Sequence, residues 1–586
     1  MRFTSTQSQP SWPLSLTLLL STIIPVTQAD APILYDYDGY NAAKYGQAPS
    51  QTFRTSDIVA PQLQVNTWDR ELVDTAPYIF LGLWSPLGGN AGAYIYSTRD
   101  LSLVYAEQRW PSAHNTQVQR YKGEDFLVFY QGEQRDGHSS GTCLFYDSGY
   151  QIAHIVEAVG YPSSSVDMHE CQVTDNGTVL ISIYETLDWD TSPAGGMTKE
   201  DGGKLLDSLF QEVDIATGEL LFQWRASDWY ALTDSFFTWD FDKAEGWDFF
   251  HLNSVEKTAE GHYLISARHT HTVAYINGTS GAPVWTLGGK RNNFQDISGG
   301  EATTFAWNHH ARFRSDISGG KRTQQLTFFD NHNLDTAVGG IGCNATTPAP
   351  DGTLTATTTT TTACSRGRRV ELDYERMTVR LVQDYLHPAH LVSGAMGGLD
   401  VLPGSGNVLI GWGLNPAFTE HTADGRCVLD VQYNIWNPKG EGRGHYRTYK
   451  SDWVGKPAWP PAVAWEGPAS GGDGGDPGDG GERSEDVDGD GAGAGDGTSK
   501  LFLSWNGATE VVSWQVLAGN ATNALDTPSE LYPRAGFETT VSVGPGVTYG
   551  QAVALDKDGA ALGRTAMVDL RTGEVVPEPV VQMRQV

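Results

Sequence analysis

One unit recurs along the chain and constrains its fold more than any other feature: a short apolar strand, a glycine turn and a second, more hydrophobic strand. It reads Gln117-Val118, Gly123 and Phe126-Leu127-Val128 at its first clear appearance. It returns as Gln172-Val173, Gly177 and Val179-Leu180-Ile181, then as Ser254-Val255, Gly261 and Tyr263-Leu264-Ile265. Two later copies are Arg312-Phe313 with Leu326-Thr327-Phe328, and Asp400-Val401, Gly406 and Val408-Leu409-Ile410. Two outer hairpins, Val213 to Trp224 and Ala274 to Trp285, each turn at glycine and end on tryptophan. Such a unit cannot bury its apolar faces alone, whereas radially arranged copies can. With the strands from Tyr78 to Tyr105 added, residues 30–450 are expected to form an all-β propeller of about six blades.

After the propeller, residues 455–586 show alternating strands such as Leu501 to Trp505, Val511 to Val516, Phe537 to Val543 and Gln551 to Leu555. These fit a small C-terminal β-sandwich, with Trp459 to Trp465 as its first strand. Residues 466–500, rich in glycine and acid groups, are expected to be a disordered insertion in that hairpin. Residues 348–363 are threonine-rich and read as an exposed loop.

The 67 Gly and 28 Pro of this 586-residue chain argue for short strands and turns rather than long helices. Its 70 Asp and Glu against 39 Lys and Arg give a formal net charge of −31. That charge repels phosphate backbones and anionic lipid, so neither nucleic acid nor membrane is an expected partner. Residues 1–29 read as a secretory signal: Arg2, an apolar run from Trp12 to Val26, and small residues ending at Ala29. A secreted, extracellular product follows, with N-glycans expected at Asn176, Asn277, Asn344 and Asn520. Among the five cysteines, Cys343–Cys364 is the first expected disulfide and Cys143–Cys171 the second, leaving Cys427 unpaired.

Counting back four residues from the apolar anchors Val118, Val173, Val255 and Phe313 lands on His114, His169, His251 and His309. The same step from Val401 lands on Gly397. Equivalent positions of a propeller converge on its axis, so these imidazoles are expected to meet in one pocket. Three uses compete: nucleophile or general base, transition-metal ligand, and a structural bond that fastens each strand. Arg268, His269, His310, Arg312, Asn253 and Asp330 lie beside these positions. Together they make a His- and Arg-rich channel in an acidic protein, which suggests an anionic ligand.

At these residues the chain resembles the arylsulfotransferase family, particularly its fungal secreted branch. The strings that carry the resemblance are Asp167-Met-His169-Glu170, His251-Leu-Asn253-Ser254-Val255, Ser266-Ala-Arg268-His269-Thr-His271, Trp285-Thr-Leu-Gly288-Gly289, Trp307-Asn-His309-His310-Ala-Arg312-Phe313, Phe329-Asp330-Asn331 and Gly411-Trp412-Gly413. Ser504 to Thr509 matches the sandwich that follows in that branch. The resemblance implies a six-bladed propeller with an axial active site. It also implies nucleotide-independent sulfuryl transfer between phenolic compounds through a sulfated histidine, without cofactor or metal. Under it, His251, His309, Arg312 and His169 are the catalytic candidates, with Arg312 as a sulfate ligand. His114, Arg268, His269, His310, Asn253 and Asp330 are the candidate substrate-binding residues. Bacterial members place their nucleophile just after a late glycine-rich strand, where this chain has Leu414-Asn415-Pro416 and no histidine before His421. Three alternatives stay open: an iron-binding four-histidine oxygenase, a secondary-metabolite cyclisation enzyme, and a non-enzymatic binding propeller.

Overall fold

The computed structural model describes residues 30–84, 91–110, 112–135, 137–238, 240–314, 323–332, 339–341, 343, 363–436, 444–468 and 497–577. The signal segment, the sequon at Asn344, nearly all of the threonine-rich stretch and most of the acidic glycine-rich stretch lie outside these residues.

Six blades, antiparallel except where the short edge strands Trp247–Asp248 and Gln295–Asp296 pair in parallel, surround an axis. Blades two to five each follow the chain outward, starting from the innermost strands His114–Tyr121, Asp167–Val173, Leu252–Lys257 and His309–Phe313. Blade six begins at Gly398–Val401 and takes its outermost strand, Gln64–Trp68, from the front of the propeller. Blade one begins inside with Gly444–Ser451 and continues outward through Tyr78–Trp84, Gly92–Ser97 and Leu103–Glu107. The six innermost strands pack side by side around a closed ring. Both chain ends of the propeller therefore contribute to its closure.

The hydrophobic runs of the repeat have a simple cause. Successive side chains of a strand point to opposite faces, and both faces of a blade are covered by neighbours. Leu127 packs toward blade one and Val128 toward blade three. Leu180 and Ile181 divide in the same way, as do Leu264 and Ile265, Phe328 and Phe329, and Leu409 and Ile410. Each of the six blade interfaces thus holds its own apolar core.

The two expected disulfides are present: Cys143–Cys171 ties blade two to blade three, and Cys343–Cys364 closes a shorter span. Cys427 is a free thiol. Asn176 and Asn520 are exposed and Asn277 is half-buried.

The C-terminal region is two packed sheets. Ala462–Glu466, Ser499–Ser504 and Glu538–Val543 form one, and Ser513–Gly519 with Tyr549–Leu555 centres the other. Leu501, Leu503, Trp514, Val516 and Val541 fill the space between them. The seam with blade one is hydrogen-bonded: Ala106 N–H donates to Asn506 (2.9 Å), the Asn506 amide donates back to Ala106 (3.0 Å), and Gly507 N–H reaches Val104 (2.8 Å).

Candidate active site

Where each innermost strand enters the axis its ladder slips. Register shifts fall between His114 and Gln117, Asp167 and Cys171, Leu252 and Ser254, His309 and Arg312, and His445 and Thr448. Blade six alone pairs its first two strands without a slip, and Gly397 stands there in place of histidine. A bulge re-aims the side chain beside it. His251 itself sits in the left-handed region at φ 58°, as do Asn115 and His310 after their respective histidines. Backbone held there costs energy and gathers at functional sites.

A cavity of about 540 Å3 lies at this end of the axis. His169, His251, Arg268, His269 and His309 line it, together with His138 and an apolar wall that includes Trp84, Met168, Phe237, Trp307, Met396 and Leu414. The rings of His169 and His251 are 4.8 Å apart, and those of His251 and His269 are 4.6 Å apart. Phe237 stacks on His269 at 4.3 Å.

Each reactive ring is fixed by a partner at Nδ1. His169 bonds Asp167 at 2.5 Å, His251 bonds Asp248, and His309 bonds the Asn331 amide oxygen at 2.7 Å. With the proton on Nδ1, a neutral ring keeps its Nε2 lone pair for chemistry. Asp167 also accepts from Ser139 N–H (2.7 Å) and the Ser182 hydroxyl (3.1 Å). Burial alone would raise its pKa, but the charge and hydrogen bonds of His169 outweigh that and hold it below the ordinary range. Burial pushes His251 well below the usual imidazole value, reinforced by His169 and Arg268, and pushes His309 down likewise. Both are neutral bases at pH 7.

Arg268 supplies positive charge. Its guanidinium bonds His269 Nε2 (2.7 Å) and the Gly394 carbonyl (2.9 Å) and lies 5.0 Å from the Trp307 ring. Its Nε–H is buried with no partner among the described residues. Burial lowers its pKa to about 10, still leaving it charged.

The other expected site residues lie elsewhere, and each has a partner or packing reason. His114 is buried beside Tyr446 at 6.2 Å and lies off the cavity, so the expected quartet of imidazoles is a trio there. Arg312, expected as a sulfate ligand, spends its charge on Glu170 (2.7 Å), which Arg447 also engages (3.0 Å). His310 accepts from Leu399 N–H (3.1 Å), and Asn253 donates to the Asn308 carbonyl (2.6 Å), fastening blade four to blade five. Asp330 is a buried partner of Arg368 (3.2 Å) and His332 (3.3 Å). His138 and Trp84 were not singled out from sequence. His138 opens a third strand, close to the turn that carries Arg268 and His269 in blade four, so aligning those turns points to it.

Asp248, His251 and His269 form a possible metal-ligand set, with one donor atom from each lying within 4.8 Å of the others. Asp248 Oδ1 has no hydrogen-bond partner among the described residues, as a ligand oxygen would require. The adjoining Arg268 opposes a cation there.

A family model described as arylsulfotransferase (ASST) matches residues 117–434. No curated protein matches the chain. Solved structures similar to it include a protein of unknown function from Bacteroides caccae, 11% identical, covering 64% of this chain and 98% of that one with a TM-score of 0.34. A protein from Lactobacillus plantarum is 11% identical, covering 64% and 100% with a TM-score of 0.33. The Myceliophteria thermophila Cps50 (Swd1) β-propeller domain is 11% identical, covering 59% and 90% with a TM-score of 0.25.

Proposed function

Because the chain belongs to the arylsulfotransferase family, we propose that its axial cavity moves a sulfuryl group from an aryl sulfate to a phenol, with His251 as the nucleophile. One observation carries this reading: two Asp–His pairs with rings 4.8 Å apart share a cavity with Arg268, whose buried Nε–H has no partner among the described residues. In the first half-reaction His251 Nε2 attacks sulfur, the bond from sulfur to the phenolic oxygen breaks, and protonated His169 gives its proton to the leaving phenolate. In the second, the acceptor phenol loses its proton to His169 and its oxygen attacks sulfur, freeing His251. Arg268 holds the sulfuryl oxygens as charge moves among them. Leu414 lines the cavity after the late strand, and His421 is buried at Thr419 (2.8 Å), so the nucleophile comes from an earlier blade.

The apolar wall suits two aromatic rings, one leaving and one arriving. Export through the segment before Ala29, with glycans on the exposed sequons, belongs to the same proposal; the two disulfides are compatible with it.

The test is release of 4-nitrophenol from 4-nitrophenyl sulfate with and without a second phenol. Acceptor-dependent release is expected, falling at least about 10³-fold in His251→Asn, with a sulfuryl adduct on His251 trapped when the acceptor is withheld. Release that survives His251→Asn refutes His251 as the nucleophile.

A second reading has the Asp248–His251–His269 set in its favour: these three residues would hold a transition-metal ion, with iron supplying oxygenase chemistry. Metal analysis separates the two. Near-stoichiometric iron, lost in His269→Ala together with activity, supports the second reading over the first.

A further inference from the structure

A second cavity, of about 490 Å3, opens away from the axis where the sandwich meets the outer parts of blades one and six. Its walls come from the end of the Gln64–Trp68 strand and the loop after it, the turn between Gly92–Ser97 and Leu103–Glu107, and the sandwich around Thr509 and Arg534. Three arginines line it, Arg70, Arg99 and Arg534, in a chain whose acid groups far outnumber its bases.

Two of these three make no ion pair among the described residues. Arg99 is paired with Asp100 at 2.8 Å. Arg70 lies over the Trp68 ring at 3.6 Å and donates to the Arg99 carbonyl at 2.8 Å. Arg534 donates to the carbonyls of Ala508 (2.7 Å) and Gly536 (3.1 Å). Neither Arg70 nor Arg534 has a carboxylate within 4.0 Å among the described residues. Asp74 also lines the cleft, but the N–H groups of Ala76 (2.8 Å) and Ser405 (3.0 Å) already bond its carboxylate. Burial depresses the pKa of Arg534 and outweighs the opposing pull of Tyr78, Asp100 and Asp30.

The rest of the lining is rich in hydroxyls. Tyr78, Ser97, Thr98 and Thr509 all contribute, and Thr98 Oγ1 is buried without a partner among the described residues. Guanidiniums grip oxyanions, hydroxyls match a polyol, and Trp68 with Val104 offers apolar surface for the face of a sugar ring.

We propose that this cleft binds an acidic saccharide, its sulfate ester or carboxylate held by Arg70 and Arg534, at a site separate from the axial cavity. The proposal is independent of the chemistry assigned to the axis.

Calorimetry on the full-length protein tests it with three probes: a heparin tetrasaccharide, a hyaluronan tetrasaccharide and uncharged cellotetraose. Binding of an acidic probe that weakens as salt rises is expected, with cellotetraose silent. Tighter binding of heparin assigns the group to a sulfate ester, and equal binding assigns it to a carboxylate. Arg70→Glu, an exposed change, is expected to weaken binding at least tenfold while leaving 4-nitrophenyl sulfate turnover as in the parent. Silence with both acidic probes, equal binding of cellotetraose, or affinity unchanged in Arg70→Glu each overturns the proposal.

Discussion

Both ring nitrogens of His114 are buried without a hydrogen-bond partner among the described residues, which makes this residue a sensitive reporter of acid. Burial lowers its pKa from 6.5 to about 4. The unfolded chain therefore takes up the proton first on acidification. The stability tied to the neutral ring is full above about pH 6.5 and lost as pH falls toward 4, up to about 3 kcal/mol. His445, pushed down to about 3 by burial, acts in the same direction. Glu256 and Asp400 act oppositely: burial raises them to about 7 and about 6, so their contribution is present in acid and lost as pH rises through those values. His114→Phe is expected to leave stability at pH 7 within about 1 kcal/mol of the parent and to flatten its decline between pH 6.5 and 4. Urea denaturation at a series of pH values checks both. Sulfuryl transfer is expected to persist in that variant, because the ring does not line the cavity. His169, His251 and His309 were legible from their repeat position, since the bulge delivers each ring to the axis. The charge of Arg312 is visible in sequence, while its buried partner Glu170, far away in the chain, is not.

Blade six shows what the repeat does when its histidine is missing. Gly397 has φ +97°, and a side-chain carbon there would meet the Phe329 ring at 2.6 Å. Gly397→Ala is expected to cost about 2 kcal/mol or more, through strain and the clash together, measurable as a lowered denaturation midpoint. The change also disturbs the wall at its neighbour Met396, so KM should rise before kcat falls. Strands of the blades were readable because burial on both faces leaves an unbroken apolar run. The innermost strand of blade one, Gly444–Ser451, was not recognised as part of that blade. It reads His445-Tyr446-Arg447-Thr448, a polar string whose burial comes from ion pairs and aromatic contacts at the axis rather than from apolar anchors. The bulges left no trace in composition, because one extra residue changes geometry without changing residue type.

For the whole molecule, a net charge of −31 surrounds a cavity lined by histidines, by Arg268 and Lys243, and by the acids Asp240, Glu245 and Asp248. In the proposed reaction an anionic aryl sulfate would approach against that field and meet Arg268 only at the site. Raising salt from about 0.01 M to 0.15 M shortens the screening length from about 30 Å to 8 Å. kcat/KM for an aryl sulfate is therefore expected to rise several-fold over that range, whereas the rate with respect to a neutral phenol should stay nearly flat. Stopped-flow kinetics at graded ionic strength measures this, and a falling kcat/KM would place the dominant field at Arg268 and Lys243 in the cavity instead.

Tyr446 sits edge-on to His114, His169 and His309, and its hydroxyl bonds the Asn253 carbonyl at 3.1 Å. It belongs to the strand that shuts the ring, the last one of the propeller to be synthesised. During translation the imidazoles emerge long before the residue that floors them. A ribosome-bound or prematurely ended product would thus hold every proposed catalytic side chain yet lack the inner strand that completes the ring.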